Sequence, residues 1–556
     1  MKRLQRPRIN SSIAVGTALV MALSGCAVNP QTGQLQPSQA MAGLGHRITH
    51  GFKSIYDSPN PCSNNDRNIA MTVGAIAGGV IGYLNHGAKG AIVGAAVGAG
   101  GGFLVGHLMD ARRCKLYKIA QANHLRLVSA TITPGKLGLQ GTNPSTAIGL
   151  DVQLQNRGDE FQPGTATLTP QARTYLAQIA GQYTPGTIAQ TLPANATPPQ
   201  RAQAKEHVVL IVGHTDAQDA ASGADLAKLS QARARAVAQV FARNGVPAAN
   251  IFYQGAGDAL PIASNATAQG REANNRVQFV DVPTKSDLQH YLRGRTVNPI
   301  DYGLSKMPTV AASAAGSTEG AATVTARKRP GWKRPGRPTR VAGVSYAKRE
   351  RIRRIAREKH LRHAVFVSGY NFGGGPIRST GKTIDLGAPL NHSMFHIVSE
   401  AHADAPVLIG SCLTDRPRPA TAVRNLETGR ALPPRDFVPG FYGTAWATDA
   451  KGNLVAITNA TVPLDSGASI PDPTVYIYRN YHGNIHQKPS FVAKADVNVY
   501  RGSLETVYRV FLHGPAQCLD LVVPSGEFAG PGNLYYANRG DQYLATPQFA
   551  MQSVKR

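Results

Sequence analysis

The chain is 556 residues long, with 59 lysines and arginines against 32 acids and a formal charge of +27. That length excludes a single hydrophobic core and favours two to four domains. The basic excess is local, which argues against general polyanion binding: residues 140–284 carry ten basic and ten acidic side chains, whereas 327–363 carry fifteen and two.

The first 26 residues set the compartment. Lys2, Arg3, Arg6 and Arg8 precede a short apolar run, Ile13 to Leu23, and the segment closes on Leu23-Ser24-Gly25-Cys26. Such a run is too short to span a bilayer and reads as a signal peptide over 1–25. The "LSGC" ending resembles a bacterial lipobox, which implies lipid on Cys26 and, with Ala27 behind it, outer-membrane sorting with the mature chain facing the periplasm. An ordinary cleaved signal peptide is the alternative. Once Cys26 is acylated, Cys62, Cys114, Cys412 and Cys518 remain, an even number in an oxidising compartment. Sequence order suggests Cys62–Cys114 and Cys412–Cys518, although four cysteines allow three pairings.

Residues 26–70 are rich in Pro, Asn, Gln and Ser and read as a tether. Over 71–109 glycines recur every fourth residue, at Gly74, Gly78 and Gly82 and again from Gly90 through Gly94, Gly98 and Gly102 to Gly106. That spacing stacks them on one helix face, where each costs about 1 kcal/mol relative to Ala in water. The pattern makes sense where two helix backbones pack closely, as in membranes. It resembles the glycine zipper of YiaD-like lipoproteins and implies a membrane-associated helical hairpin.

From Ile148 onward short strands alternate with amphipathic helices. "AIGLDVQLQ" reads as a strand and "TPQARTYLAQIAGQY" as a helix with Thr169 as its cap. A Pro/Ala-rich insertion follows, then a strand at His207–Val212, a helix near Leu226–Asn244, the strand "NIFYQGAG" and the strand "RVQFVDV". The order predicts an α/β sandwich with one mixed sheet over 140–283. Residues 284–345 read as a basic, low-complexity linker, and 346–556, with runs such as "TVYIYRNY" and "TVYRVFLHG", as a separate mainly-β domain.

Within the helix, Leu226, Leu229, Val237, Val240 and Phe241 form an apolar stripe, and Arg233 lies on it. A guanidinium among aliphatics requires a partner, because burying it alone costs several kcal/mol. Asp216, closing the strand "HVVLIVGHTD", is the acid nearest in sequence, at a strand end where α/β sheets tend to bind ligands. The two can form a structural ion pair or hold opposite ends of a zwitterion.

These residues carry a resemblance. "GHTDAQDAASGADLAKLSQARARAV", "GAGDALPIASNATAQGREANNRV" and "EFQPGTATLTPQA" resemble the OmpA-like peptidoglycan-binding domain, a βαβαβ sandwich. The resemblance implies that Asp216 and Arg233 grip diaminopimelate of the stem peptide, with Gly213, Thr215 and Arg276 completing the site. A bidentate Arg suits the carboxylate, and Asp216 the ammonium. The chain departs from the family at Leu226, where Asn is usual, and at Asn275, where a second Arg is usual.

Nothing in the sequence argues for catalysis. His214 has no neighbouring nucleophile or paired carboxylate and reads as structural. His392 with His396, and His482 with His486, have helical spacing but fall in strand-like or loop-like sequence without a third ligand, so no metal or cofactor is expected. The basic stretch 327–363 suits anionic lipid or a wall polymer; nucleic acid is excluded by the periplasmic address. The resulting expectation is a non-enzymatic lipoprotein tethering the outer membrane to peptidoglycan. Its rivals are a wall-targeted enzyme with its activity in the C-terminal domain, and a membrane assembly or perturbation factor acting through the zipper.

Overall fold

A computed structural model describes residues 108–133, 149–155, 160–203, 206–216, 223–263, 268–295, 369–377, 381–388 and 406–552, with isolated positions at 26–28, 35–37, 62, 265, 302 and 390. The signal peptide, the zipper glycines, the basic stretch 327–363 and the His392/His396 pair lie outside the described residues. Among the described residues no helix is long and apolar enough to cross a membrane.

The α/β domain is built on one mixed sheet. Its strands are β1 (Arg126–Ile132), β2 (Gly149–Gln155), β3 (Val208–His214), β4 (Ile251–Gly257) and β5 (Arg276–Val282). A two-residue strand from the C-terminal region, β6 (Arg424–Asn425), completes the spatial order β6-β4-β3-β5-β2-β1. Only β3 and β4 run parallel; every other neighbouring pair is antiparallel. One face carries α1 (108–122), α2 (Pro170–Ala180) and α3 (Gly223–Arg243), and Leu176, Ile211, Val237, Phe241 and Phe279 fill the space between. Thr169 caps α2 by accepting from the Ala172 N–H at 3.2 Å, with Pro170 behind it, as expected. Each fully buried aromatic such as Phe241 contributes roughly 1.5–3 kcal/mol.

Two boundaries move. Residues 284–295 are not linker: Thr284 caps α4 (Lys285–Gly294), and Leu288, Tyr291 and Leu292 press onto the second sheet face against Leu210, Val212 and Val280. The i, i+3, i+4 spacing of those three residues is the helical stripe that low complexity further along obscured. At the other end, β1 pairs with β2 along its whole length, and α1 docks through Leu116 and an Arg112–Asp281 ion pair, so the domain begins well before residue 140. Cys114 on α1 is bonded to Cys62, and Cys412 to Cys518, the pairing that sequence order suggested.

The C-terminal region has its own core and is mainly β. Its strands are β7 (Phe437–Ala450), β8 (Asn453–Pro463), β9 (Thr474–Tyr478), β10 (Phe491–Lys494), β11 (Asp496–Arg501), β12 (Glu505–Phe511), β13 (Cys518–Pro524), β14 (Ala529–Asn538), β15 (Asp541–Ala545) and β16 (Gln548–Gln552). The order β10-β9-β8-β7-β16-β14-β13-β12-β11 folds around Trp446, Phe441, Tyr508 and Phe549, with β15 beside β14. Buried within it, Arg509 donates to both oxygens of Asp520, to Asp415 Oδ2 at 2.7 Å and to the Gly410 carbonyl. Four such bonds answer the desolvation of a cation that is 0% exposed.

The two domains interlock through a strap, residues 415–432. The Thr421 N–H donates to the Gly255 carbonyl and its Oγ1 accepts from the Gly255 N–H, β6 pairs with the free edge of β4, and Arg416 forms an ion pair with buried Asp258. The strap thereby removes the unpaired edge that β4 would otherwise expose.

Candidate functional site

β3 ends at His214 with its whole length buried, as a strand covered on both faces must be. Helix α3 rides unusually close to it. A Cβ on Gly213 would lie 2.2 Å from the Ser230 carbonyl oxygen, and one on Gly255 of β4 would lie 2.4 Å from that of Ala227. Neighbouring glycines on adjacent parallel strands thus let one helix settle onto both. Ser230 locks the approach: its Oγ accepts from the Gly257 N–H at 2.8 Å and donates to the Ala227 carbonyl at 2.9 Å. The Thr215 N–H donates to Gly257 at 3.0 Å and ties the two strand ends together. Asp216 follows, half-buried, at the C-terminal end of this parallel pair.

Arg233 sits one turn beyond Ser230 on the face of α3 that meets the sheet and is 5% exposed. Its Nε donates to the Thr165 carbonyl at 3.0 Å, its Nη1 reaches Asn275 Oδ1 at 3.4 Å, and its guanidinium lies 5.2 Å above the Phe161 ring. Phe161 and Leu168 are bridged, which holds the intervening loop and its Thr165 carbonyl in place. Arg233 is therefore aimed by three elements besides its own helix. Arg235 and Arg243, off the stripe, are exposed.

Arg276 and His214 project from the other face of the sheet, toward α4. Arg276 donates to the carbonyls of Asn274 and Leu260, and burial pulls its pKa down to about 9 against the attraction of Asp151. His214 Nε2 pairs with Gln278 Oε1 at 3.0 Å, while Gln278 Nε2 and the Tyr291 hydroxyl donate to Asp151 Oδ2 at 2.6 and 3.2 Å. Burial and the Arg276 charge hold His214 well below the usual imidazole range, and burial pushes the Asp151 carboxyl up to about 7. A neutral imidazole hydrogen-bonded to an amide in the core has a structural role. Arg276 supports the strand from behind and does not line the side where Arg233 lies.

Of the residues sequence reasoning brought to one corner, Gly213, Thr215 and Asp216 close β3, and Arg233 reaches Asn275 at the same end of the sheet, where β5 begins opposite Gly213. That reasoning missed Phe161 and Thr165 as the seat of Arg233, although the segment "EFQPGTATL" had been matched to the opening motif of the domain. It also missed that Asn275, noted only as a departure, lies beside the guanidinium. His482 and His486 fall in the exposed turn between β9 and β10, and among the described residues no three metal-ligating side chains cluster.

Residues 160–276 match the OmpA family, and residues 71–113 match a family described as Glycine zipper. The chain is 29% identical over 272 residues to the probable lipoprotein YiaD of Escherichia coli (strain K12), across 49% of this chain and 96% of that protein. It is 49% identical over 53 residues to the outer-membrane lipoprotein YfiB of Pseudomonas aeruginosa, across 10% of this chain and 32% of that protein. Among solved structures, the cell wall anchor of the T6SS from Pseudomonas aeruginosa covers 30% of this chain at 23% identity, with 93% of that chain covered and a TM-score of 0.21. The chain carries an OmpA-family domain preceded by a glycine zipper, and its relatives include the lipoproteins YiaD and YfiB.

Proposed function

We propose that this protein is an outer-membrane lipoprotein that holds peptidoglycan non-covalently, with Asp216 gripping the ammonium and Arg233 the carboxylate of diaminopimelate. The observation that carries this reading is the seating of Arg233: a guanidinium locked by Thr165, Asn275 and Phe161 at the end of the sheet where β3 delivers Asp216. A cation held in advance loses little entropy when a carboxylate arrives, and its planar fork suits that group. Gly213 and Thr215 set the spacing of the helix and the strand end, and Arg276 stiffens the strand from the opposite face. Lipid on Cys26 and the zipper supply the membrane end, a reading supported by the kinship with lipoproteins. The act is binding, through charge complementarity.

The test is co-sedimentation with purified peptidoglycan sacculi. Wild-type protein pellets with sacculi, and Asp216→Ala and Arg233→Ala each abolish pelleting while the helical circular-dichroism signal persists. Retention by both variants would make the pair a purely structural feature.

A further inference from the structure

A second site lies between the two domains. A cleft of about 210 Å³ is floored by Ala259, Leu260 and Tyr302 and walled by β11 and by the chain after β8. All six residues of β11, Asp496 to Arg501, border the cleft, as an edge-on strand does. β12 takes one edge of β11, and among the described residues no strand pairs with the other. An unpaired edge lining a cavity is a template for one more extended chain.

The charges at the two ends of β11 are opposite. Arg501 at its C-terminal end is half-buried, and among the described residues its guanidinium has neither a hydrogen bond nor an ion pair. Of its neighbours in the cleft, Arg418 is bound to Asp415 and Tyr500, while Arg295 donates to the neutral groups of Gln254 and Ser466 and keeps a buried Nη1 unbonded among the described residues. At the N-terminal end Asp496 and Asp472 both border the cleft. Burial and the charge of Asp496 push the Asp472 carboxyl up, with only Lys494 opposing. One end of the strand thus carries a guanidinium without an anion, and the other carries two exposed carboxylates with Lys494 beside them. The middle is rigid, because Asn498 and Tyr500 are bonded to the strap at Arg416, Arg418 and Asp415.

We propose that this cleft binds a free oligopeptide, added parallel to the edge of β11 with its terminal ammonium at Asp472 and Asp496 and its terminal carboxylate at Arg501. A strand rises roughly 3.3 Å per residue, so the six residues of β11 match a ligand of about five or six residues. Ladder bonds supply sequence-independent affinity, and Leu464 and Ile470 on the facing wall favour apolar side chains. The site is distinct from the wall-binding corner and does not depend on it.

Calorimetric titration of the whole mature chain with Val-Thr-Val-Thr-Val tests the assignment. The free-ended peptide binds, and its N-acetylated and C-amidated forms each bind about tenfold or more weakly, since charge-assisted bonds are lost. Arg501→Gln weakens the free peptide to the level of the amide and leaves binding of the amide unchanged, while Arg501→Lys restores part of the loss. An unchanged melting temperature and unchanged pelleting with sacculi separate this site from the fold and from the wall-binding corner. Absence of peptide binding, equal binding of the blocked forms, or indifference to Arg501→Gln overturns the proposal. Soluble muropeptides, whose stem begins in an amide, are the discriminating competitor; displacement of the bound pentapeptide by an equal concentration of them overturns the ammonium assignment.

Discussion

Asp151→Asn tests whether the polar network behind the site is arranged as described. In the folded chain the Asp151 carboxyl titrates at about 7, against 3.8 when free, because burial outweighs the bonds from Gln278 and Tyr291. A raised carboxyl pKa means the folded state holds a proton that the unfolded state has lost, so stability falls as pH rises from 3.8 to 7. The slope is about 1.4 kcal/mol per pH unit and the whole window is worth about 4 kcal/mol. His214 acts oppositely: its folded pKa lies well below 6.5, so the unfolded state gains a proton first and stability falls as pH drops below 6.5. Below pH 6.5 the two effects oppose each other in the wild type. Asparagine preserves both acceptor bonds without a titrating group. The variant is therefore close to wild type near pH 4 and more stable at pH 7–8, and its stability falls more steeply with acid than that of the wild type. Urea denaturation followed at 222 nm reads this domain, because the described helices of four or more residues all precede residue 295. A difference between variant and wild type that does not change with pH would refute the account.

Two further outcomes follow from the packing. Gly213→Ala drives a methyl group into the Ser230 carbonyl at 2.2 Å, so α3 must lift; the expected effects are a loss of roughly 1–3 kcal/mol on thermal melting and loss of pelleting with sacculi, since Arg233 moves with the helix. Wild-type behaviour in both assays would mean α3 is not registered by this glycine. Replacing Cys412 and Cys518 together by Ala opens a link across 106 residues, with an expected cost of about 2–5 kcal/mol. Unfolding monitored by the fluorescence of buried Trp446 measures it, and dithiothreitol should lower the wild type toward the variant, since both share the Cys62–Cys114 bond.

Local pattern made most of the α/β domain legible. The apolar runs of β3, β4 and β5, the stripe on α3 and the Thr169 cap each act within a few residues, and each appeared within a residue or two of its expected place. Leu229, on the stripe, proves only partly buried, while Ser230 beside it is fully buried because it bonds Gly257. What escaped was long-range. Two residues of β6 pair with a strand about 170 positions earlier, and no periodicity marks so short an element. The seat of Arg233 escaped for the same reason, since Thr165 contributes a backbone carbonyl, which any residue could offer. Arg509 was more readable: a lone cation in "TVYRVF" and a lone acid in "CLDLVV" are directly opposed on β12 and β13. Charges in two otherwise apolar strands signal a buried pair.

The strap also accounts for the departure at Leu226. The position where the resembling family has a polar Asn is fully buried here. One turn earlier, a Cβ on Gly223 would lie 2.4 Å from the Pro417 carbonyl oxygen and 2.9 Å from the Pro419 ring, so the first turn of α3 is pressed against the strap. Positions 223 and 226 share a helix face. A face covered by a proline-rich strap leaves an amide side chain without water, which costs roughly 1–3 kcal/mol unless a partner is found, whereas Leu gains by burial. The same strap satisfies the β4 edge through Thr421 and closes over Asp258, whose carboxyl burial raises while Arg416 and Arg418 hold it back. Leu226, Gly223 and the strap are on this argument one adaptation: the sheet edge and helix start that would face solvent in an isolated domain have become an interface. The β domain is thereby docked beside the strand end that carries Asp216, with a cleft at the seam.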